Sequence, residues 1–253
     1  RYECLTNPTA APAAVFVPFY AALDFARYAG QDNVTRDAAS VDLAEWLKWR
    51  LLYDQQWPQD GHDNFLVAGR AARDLARDGG NSGGPNWGTN LLARPVGRNL
   101  SVLVLESSPA PDASEFAVAY PTYFHPAKDA DVLQWQQRMQ GMKRDFLFSF
   151  AGGERPGDPN SIRHHLIREC GASSFCNLVQ CHKSEKNCLA PSTFMRVFQG
   201  ARFCLQPPGD TYTRRSAFDA ILAGCVPVFF HPDSAYRQYR WHLPDDRDSY
   251  SVF

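Results

Sequence analysis

The sequence predicts an α/β protein built from two Rossmann-like halves facing a central cleft. Three observations carry this expectation. Short apolar runs flanked by turn residues alternate with amphipathic stretches, the alternation restarts after residue 144, and residues 201–230 read as one complete β–α–β unit. With 253 residues the chain is long enough to bury two modest cores. Its 44% hydrophobic and 21% charged content is that of a globular protein, and a net charge of -1 gives no general attraction to nucleic acid. Every apolar run is too short to cross a bilayer.

In the first half, residues 14–19, 65–68 and 101–106 read as buried strands, the last rich in β-branched residues. Between the first two, Ser40 is placed to cap a helix through about Leu52 that lines up Leu43, Trp46, Leu47 and Leu51. Residues 79–88 are rich in Gly, Asn, Ser and Pro and lack an apolar period, so a surface loop is expected there. A helix over 131–144 then leads into a strand at 145–150, which Ala151-Gly152-Gly153 is expected to break. Asp158 and Pro159 start a helix running to about Glu169, and the next strand is 203–206. The halves are accordingly drawn at 1–130 and 131–253.

Four of the 7 cysteines, Cys170, Cys176, Cys181 and Cys188, fall in one short stretch without the close C-x-x-C pairs of zinc sites. Disulfides are expected. Two acceptor sequons, Asn33-Val34-Thr35 and Asn99-Leu100-Ser101, fit the same oxidising compartment.

Chemistry concentrates in residues 201–230, which run strand, Pro207-Pro208-Gly209-Asp210 loop, helix over 211–223, Gly224, and an apolar strand over 225–230. At helical spacing Ala217, Phe218, Ile221 and Leu222 share one stripe, with Arg215, Ser216 and Asp219 opposite. Gly224 falls where a left-handed residue ends the helix. Two cations, Arg214 and Arg215, stand in the predicted first turn, where the dipole makes each unfavourable by about 0.3–1 kcal/mol. A bound diphosphate reverses that sign, because free N–H groups and guanidinium forks converge on its oxygens. Asp219, one turn on, is then placed for a ribose diol. The competing reading is a plain Arg215–Asp219 surface pair.

The run from Phe203-Cys204-Leu205-Gln206-Pro207-Pro208-Gly209-Asp210 through Thr213-Arg214-Arg215-Ser216-Ala217-Phe218-Asp219 to Gly224-Cys225-Val226-Pro227-Val228-Phe229-Phe230 resembles the donor-binding signature of exostosin-like glycosyltransferases. Val17-Pro18-Phe19-Tyr20, Tyr120-Pro121-Thr122-Tyr123-Phe124-His125-Pro126 and Phe148-Ser149-Phe150-Ala151-Gly152 look like the plant branch that contains xyloglucan galactosyltransferases. The resemblance implies a GT-B fold, with 1–130 on the acceptor side and 131–253 binding a UDP-sugar. It implies inversion at the anomeric carbon, transfer of galactose from UDP-galactose to xylosyl side chains of xyloglucan in β-1,2 linkage, and plant cell-wall synthesis. A Golgi-luminal type II membrane protein, truncated here at both ends, is also implied. For the donor site it implies Ser149, Gly152, Gln206, Gly209, Asp210, Thr213, Arg214, Arg215, Ser216 and Asp219.

Neither Asp-x-Asp triplet, Asp129-Ala130-Asp131 or Asp246-Arg247-Asp248, is expected to hold a metal. The first opens a predicted helix, where Asp caps free N–H groups, and the second lies in a polar stretch. Arginines can neutralise departing UDP without one, so no cofactor beyond the donor is expected. The acceptor hydroxyl needs a base, for which His62, Asp63, Asp24 and His125 are candidates. The family usually has His where this chain has Asn64. A binding homologue that has lost turnover therefore stays open, whereas a nucleotide-dependent kinase or ATPase fits poorly because the Gly-x-x-x-x-Gly-Lys-Ser/Thr loop is missing.

Overall fold

The computed structural model describes residues 12–53, 63–77, 87–108, 114–155, 157–158, 160–181, 190–209 and 211–253. The expected loop at 79–88 lies almost wholly outside these residues, as do His62, Asp210 and Cys188. Packing divides the chain into two compact units, Arg1–Val118 and Ala119–Phe253. Residues 119–130, assigned to the first half from the sequence, pack with the second unit.

The first unit holds a four-stranded parallel sheet in the order β1 (Val15–Phe16), β2 (Asn64–Val67), β3 (Ser101–Val104), β4 (Glu115–Ala117). Alternate residues point into the core, so Leu66, Val102 and Val104 are fully buried with Val17, Leu47 and Leu75. Two helices follow β1: α1 (Ala21–Tyr28), not anticipated, and α2 (Asn33–Tyr53). α2 begins well before Ser40, which is buried inside it. Asp32 is the residue that caps it, accepting from the N–H groups of Val34 (2.9 Å) and Thr35 (3.0 Å). These bonds, with the Thr35 hydroxyl, hold its carboxyl below the usual range. Leu43 and Leu47 are buried as expected, but Trp46 is 40% exposed. A four-residue helix, α3 (Pro95–Arg98), precedes β3.

In the second unit the parallel strands run β6 (Cys176–Gln180), β5 (Phe146–Gly152), β7 (Ala201–Gln206), β8 (Val226–Phe229) across the sheet. Helices α4 (Asp129–Gln140), α5 (Ile162–Ala172), α6 (Pro191–Gln199) and α7 (Ser216–Leu222) connect or flank them. β5 does not break at Ala151, because Ala151 and Gly152 continue its pairing with Val179 and Gln180 of β6. α5 is capped by Ser161, which accepts from the His164 N–H at 3.4 Å, and so starts later than Asp158.

Arg144 ties this unit together. Its guanidinium donates to the carbonyls of Ala201 (2.9 Å) and Ala223 (2.8 Å), and also reaches those of Met139, Phe198 and Gln199. One cation thus serves the C-terminal ends of α4, α6 and α7, where free carbonyls concentrate negative charge. Gly224 has φ of +66°, as expected for a left-handed helix stop, and a Cβ there would lie 2.8 Å from the Arg144 Nη2. Disulfides join Cys170 to Cys176 and Cys204 to Cys225, and Cys181 is also disulfide-bonded. The Cys204–Cys225 bond was not foreseen, since sequence separation concealed that Cys204 in β7 and Cys225 just before β8 lie 5.8 Å apart (Cα–Cα) in the core.

Candidate nucleotide-sugar site

In the second sheet the chain goes from β5 outward to β6 and returns to β7 on the other side of β5. The connections therefore diverge at the carboxyl ends of β5 and β7, the place where open α/β sheets leave a crevice for ligands. Gly152 closes β5 and Gln206 closes β7.

Three half-buried arginines from separate segments converge here. Arg214 donates to the Ala151 carbonyl at 3.0 Å and lies 5.4 Å from the centroid of the Phe150 ring. Arg155 donates to the Gly209 carbonyl at 3.2 Å. Arg163, in the first turn of α5, comes within 3.6 Å of where a Cβ on Gly152 would stand, and Arg214 Nη2 within 3.0 Å. Glycine at 152 is what admits the guanidiniums. Arg155 and Arg163 were missed from the sequence, because nothing in their spacing says that they fold back towards residues 209–214.

The helix itself differs from expectation. α7 starts at Ser216, so Arg215 is the residue just before it and Arg214 precedes that. The carbonyls of Tyr212 and Thr213, which a helix from 211 would use, accept instead from Ser234 Oγ (2.7 Å) and Thr211 Oγ1 (3.4 Å). The arginines therefore stand at and just before the N-cap of α7, not inside its first turn, and the loop sets their placement. The buried stripe differs too. Ala217, Ala220 and Asp219 face inward with Ala223 beyond the helix end, while Ile221 is 37% exposed. Alanines let this short helix lie close against the sheet.

Asp219 is thus buried, and burial pushes its carboxyl up despite the opposing Arg215 guanidinium. Arg215 Nε stands 3.9 Å from Asp219 Oδ2, and its guanidinium lies 4.2 Å from the centroid of the Tyr123 ring. Asp219 Oδ1 has no hydrogen-bond partner among the described residues, and neither has Gln206 Nε2 or Thr213 Oγ1. Gln206 Oε1 accepts from the Ser216 hydroxyl at 2.7 Å. A buried unpaired polar atom costs about 1–3 kcal/mol, so three on the β7–α7 segment require an explanation.

Other expected residues are placed elsewhere. Ser149 is fully buried in β5 with its hydroxyl 3.2 Å from Cys204 Sγ, a disulfide sulfur that can only accept, so it supports the sheet interior. Gly209 makes the turn that Arg155 grips, where a Cβ would come within 3.3 Å of the Thr213 carbonyl. His125 is exposed on the loop that presents Tyr123. Asp63 is exposed at the amino end of β2, whereas Asp24 follows the carboxyl end of β1 within α1. Asp131 accepts from the Ala127 N–H and Asp246 from the Asp248 N–H, both at 3.1 Å. Among the described residues no three His, Cys, Asp or Glu side chains gather as metal ligands.

Parallel α/β units with polar groups gathered at a strand-order reversal are the framework of Rossmann-like glycosyltransferase domains, and the chain belongs to the exostosin GT47 domain family, matched over residues 1–253. It is 52% identical over its whole length to the xyloglucan galactosyltransferase MUR3 of Arabidopsis thaliana, covering 40% of that protein. Probable xyloglucan galactosyltransferase GT14 of the same plant is 47% identical, with 48% of its length covered. Xyloglucan-specific galacturonosyltransferase 1, again from Arabidopsis thaliana, is 38% identical, with 37% covered. The chain thus spans less than half the length of each of these three relatives.

Proposed function

We propose that the chain is the core of an inverting glycosyltransferase, its two units forming the halves of a GT-B fold, that moves galactose from UDP-galactose to xylosyl side chains of xyloglucan in β-1,2 linkage. The observation that carries this reading is the convergence of Arg155, Arg163 and Arg214 where the strand order reverses. There they and Arg215 take the diphosphate oxygens. Asp219 accepts from the ribose diol, and Gln206 and Thr213 meet the remaining polar atoms of the donor, so binding satisfies groups that folding leaves unpaired.

The acceptor hydroxyl attacks the anomeric carbon from the face opposite UDP, giving up its proton to a base as the bond to the phosphate oxygen breaks. Negative charge grows on the diphosphate as it leaves, and guanidiniums fixed beforehand stabilise that charge more than they stabilise the bound donor. In this reading no divalent metal is needed.

The relatives' names differ in the sugar transferred, galactose in one case and galacturonate in another, so the donor is the open variable. Incubation with a panel of UDP-sugars and galactose-free xyloglucan oligosaccharides, in excess chelator and then with manganese, tests donor, acceptor and metal together. Product from UDP-galactose in chelator is expected. Transfer only from UDP-galacturonate, or only with manganese, overturns the corresponding part. The disulfides suit an oxidising lumen. We accordingly propose that the whole protein works in the Golgi lumen on a type II anchor.

A further inference from the structure

We infer that the cavity beyond the carboxyl end of β1 is a saccharide subsite, which takes a neutral glycan chain by stacking on Tyr20 and accepting its hydroxyls at Asp24 and Asp42. The inference rests on the transferase reading for its role, but its physical basis lies entirely within the first unit.

After Phe16 the chain leaves the sheet through Val17, Pro18, Phe19 and Tyr20 and enters α1. A cavity of about 450 Å³ opens there, walled by this segment, α1 and the first half of α2. Its size falls among small-molecule sites, roughly 300–1,000 Å³, and its position at a strand's carboxyl end is where parallel sheets receive ligands. Phe19, Tyr20 and Tyr28 give the walls three aromatic rings. Tyr20 is 71% exposed, so its ring packs on little of the protein, while the Tyr28 ring has the Arg27 guanidinium 5.2 Å from its centroid.

This combination selects a ligand class. A sugar ring offers a C–H face to an aromatic ring and a rim of hydroxyl donors to carboxylates, which when ionised only accept. Asp24 and Asp42 are those acceptors and Arg27 is the donor. Burial pushes the Asp24 carboxyl up, Arg27 opposes this and Asp37 adds to it, so hydroxyl hydrogen bonds there replace lost water. Two carboxylates against one guanidinium leave the wall net negative. Phosphates and uronates are therefore disfavoured, and an uncharged chain is favoured.

The test is calorimetric titration of the chain with a xyloglucan heptasaccharide and, separately, an oligogalacturonide. Wild type, Tyr20→Ala and Asp24→Asn are compared, with thermal melts to verify folding. The neutral glycan is expected to bind wild type and to lose about three- to tenfold in each variant, with UDP affinity unchanged. Unchanged affinity for the neutral glycan in both folded variants overturns the subsite, as does equal, Tyr20-dependent binding of the oligogalacturonide. If no UDP-sugar is turned over, yet glycan binding depends on Tyr20 and Asp24, the transferase reading falls and the subsite stands. If galactose is transferred with a glycan KM indifferent to both substitutions, the subsite falls and the transferase reading stands.

Discussion

Arg214 Nη2 donates to the carbonyl of Ala151 at 3.0 Å, fastening the loop after β7 to the end of β5. The contact exists because residue 152 has no side chain, and it holds a guanidinium at the point where the two connections diverge. A Cβ on Gly152 would stand 3.0 Å from Arg214 Nη2 and 3.1 Å from Phe150 Cζ. Gly152→Ala is expected to displace the arginine and weaken UDP binding about tenfold, the equivalent of one charge-assisted hydrogen bond, with only a small change in melting temperature. Calorimetry and a thermal melt on the same preparation check it.

Asp219 makes a prediction about pH. Its folded pKa is raised, chiefly by burial, above the unfolded value of about 3.9, so the native state holds the proton longer. The stability this contributes is fully present below the unfolded value and is lost as pH rises through the folded one. Asp219→Asn lacks that titration. Denaturant unfolding of both proteins from acid to neutral pH is expected to show wild type losing stability relative to the variant as pH rises. Parallel pH profiles would contradict the buried carboxylate.

Arg144 is expected to matter for folding and not for donor recognition. Replacing it with alanine strips donors from carbonyls at the ends of three helices, at a cost of about 2–4 kcal/mol in stability. Chemical denaturation reads the loss. UDP affinity below the new transition is expected to be unchanged.

The disulfides yield a mass measurement. In the native, unreduced protein Cys170, Cys176, Cys181, Cys204 and Cys225 are expected to resist alkylation, and all to react after denaturing reduction. Closing the 21-residue separation between Cys204 and Cys225 contributes about 3 kcal/mol by chain entropy, so reduction is expected to lower the melting temperature.

Much of this fold was legible because apolar runs and breakers mark parallel strands directly, and β2, β3, β5, β7 and β8 fall close to where they were expected. β6 was missed because Leu178 and Val179 stand side by side between Asn177 and Gln180, which gives no alternation, in keeping with a strand whose residues are all half-buried. α6 does carry a sequence signal, with Pro191 at its start and Phe194, Val197 and Phe198 at helical spacing. In the site, Arg214, Arg215 and Asp219 stood out by residue type and spacing. Their geometry did not, because a tertiary hydrogen bond from Ser234 to the Tyr212 carbonyl and a local one from Thr211 to the Thr213 carbonyl occupy the acceptors that an earlier helix start would use. Arg155 and Arg163 could be found only once the strand order was known.

In the proposed donor site the arginines at the carboxyl ends of β5 and β7 hold the diphosphate. The most direct test is calorimetric titration of UDP into wild type, Arg214→Ala and Arg215→Ala, with melts to establish that each variant is folded. Loss of one charged hydrogen bond costs about 1.5–3 kcal/mol, so the dissociation constant is expected to rise roughly ten- to hundredfold in each variant. Arg215 is 42% exposed in its side chain, and its removal leaves the core untouched. Wild-type UDP affinity in both folded variants would show that these arginines do not hold the diphosphate.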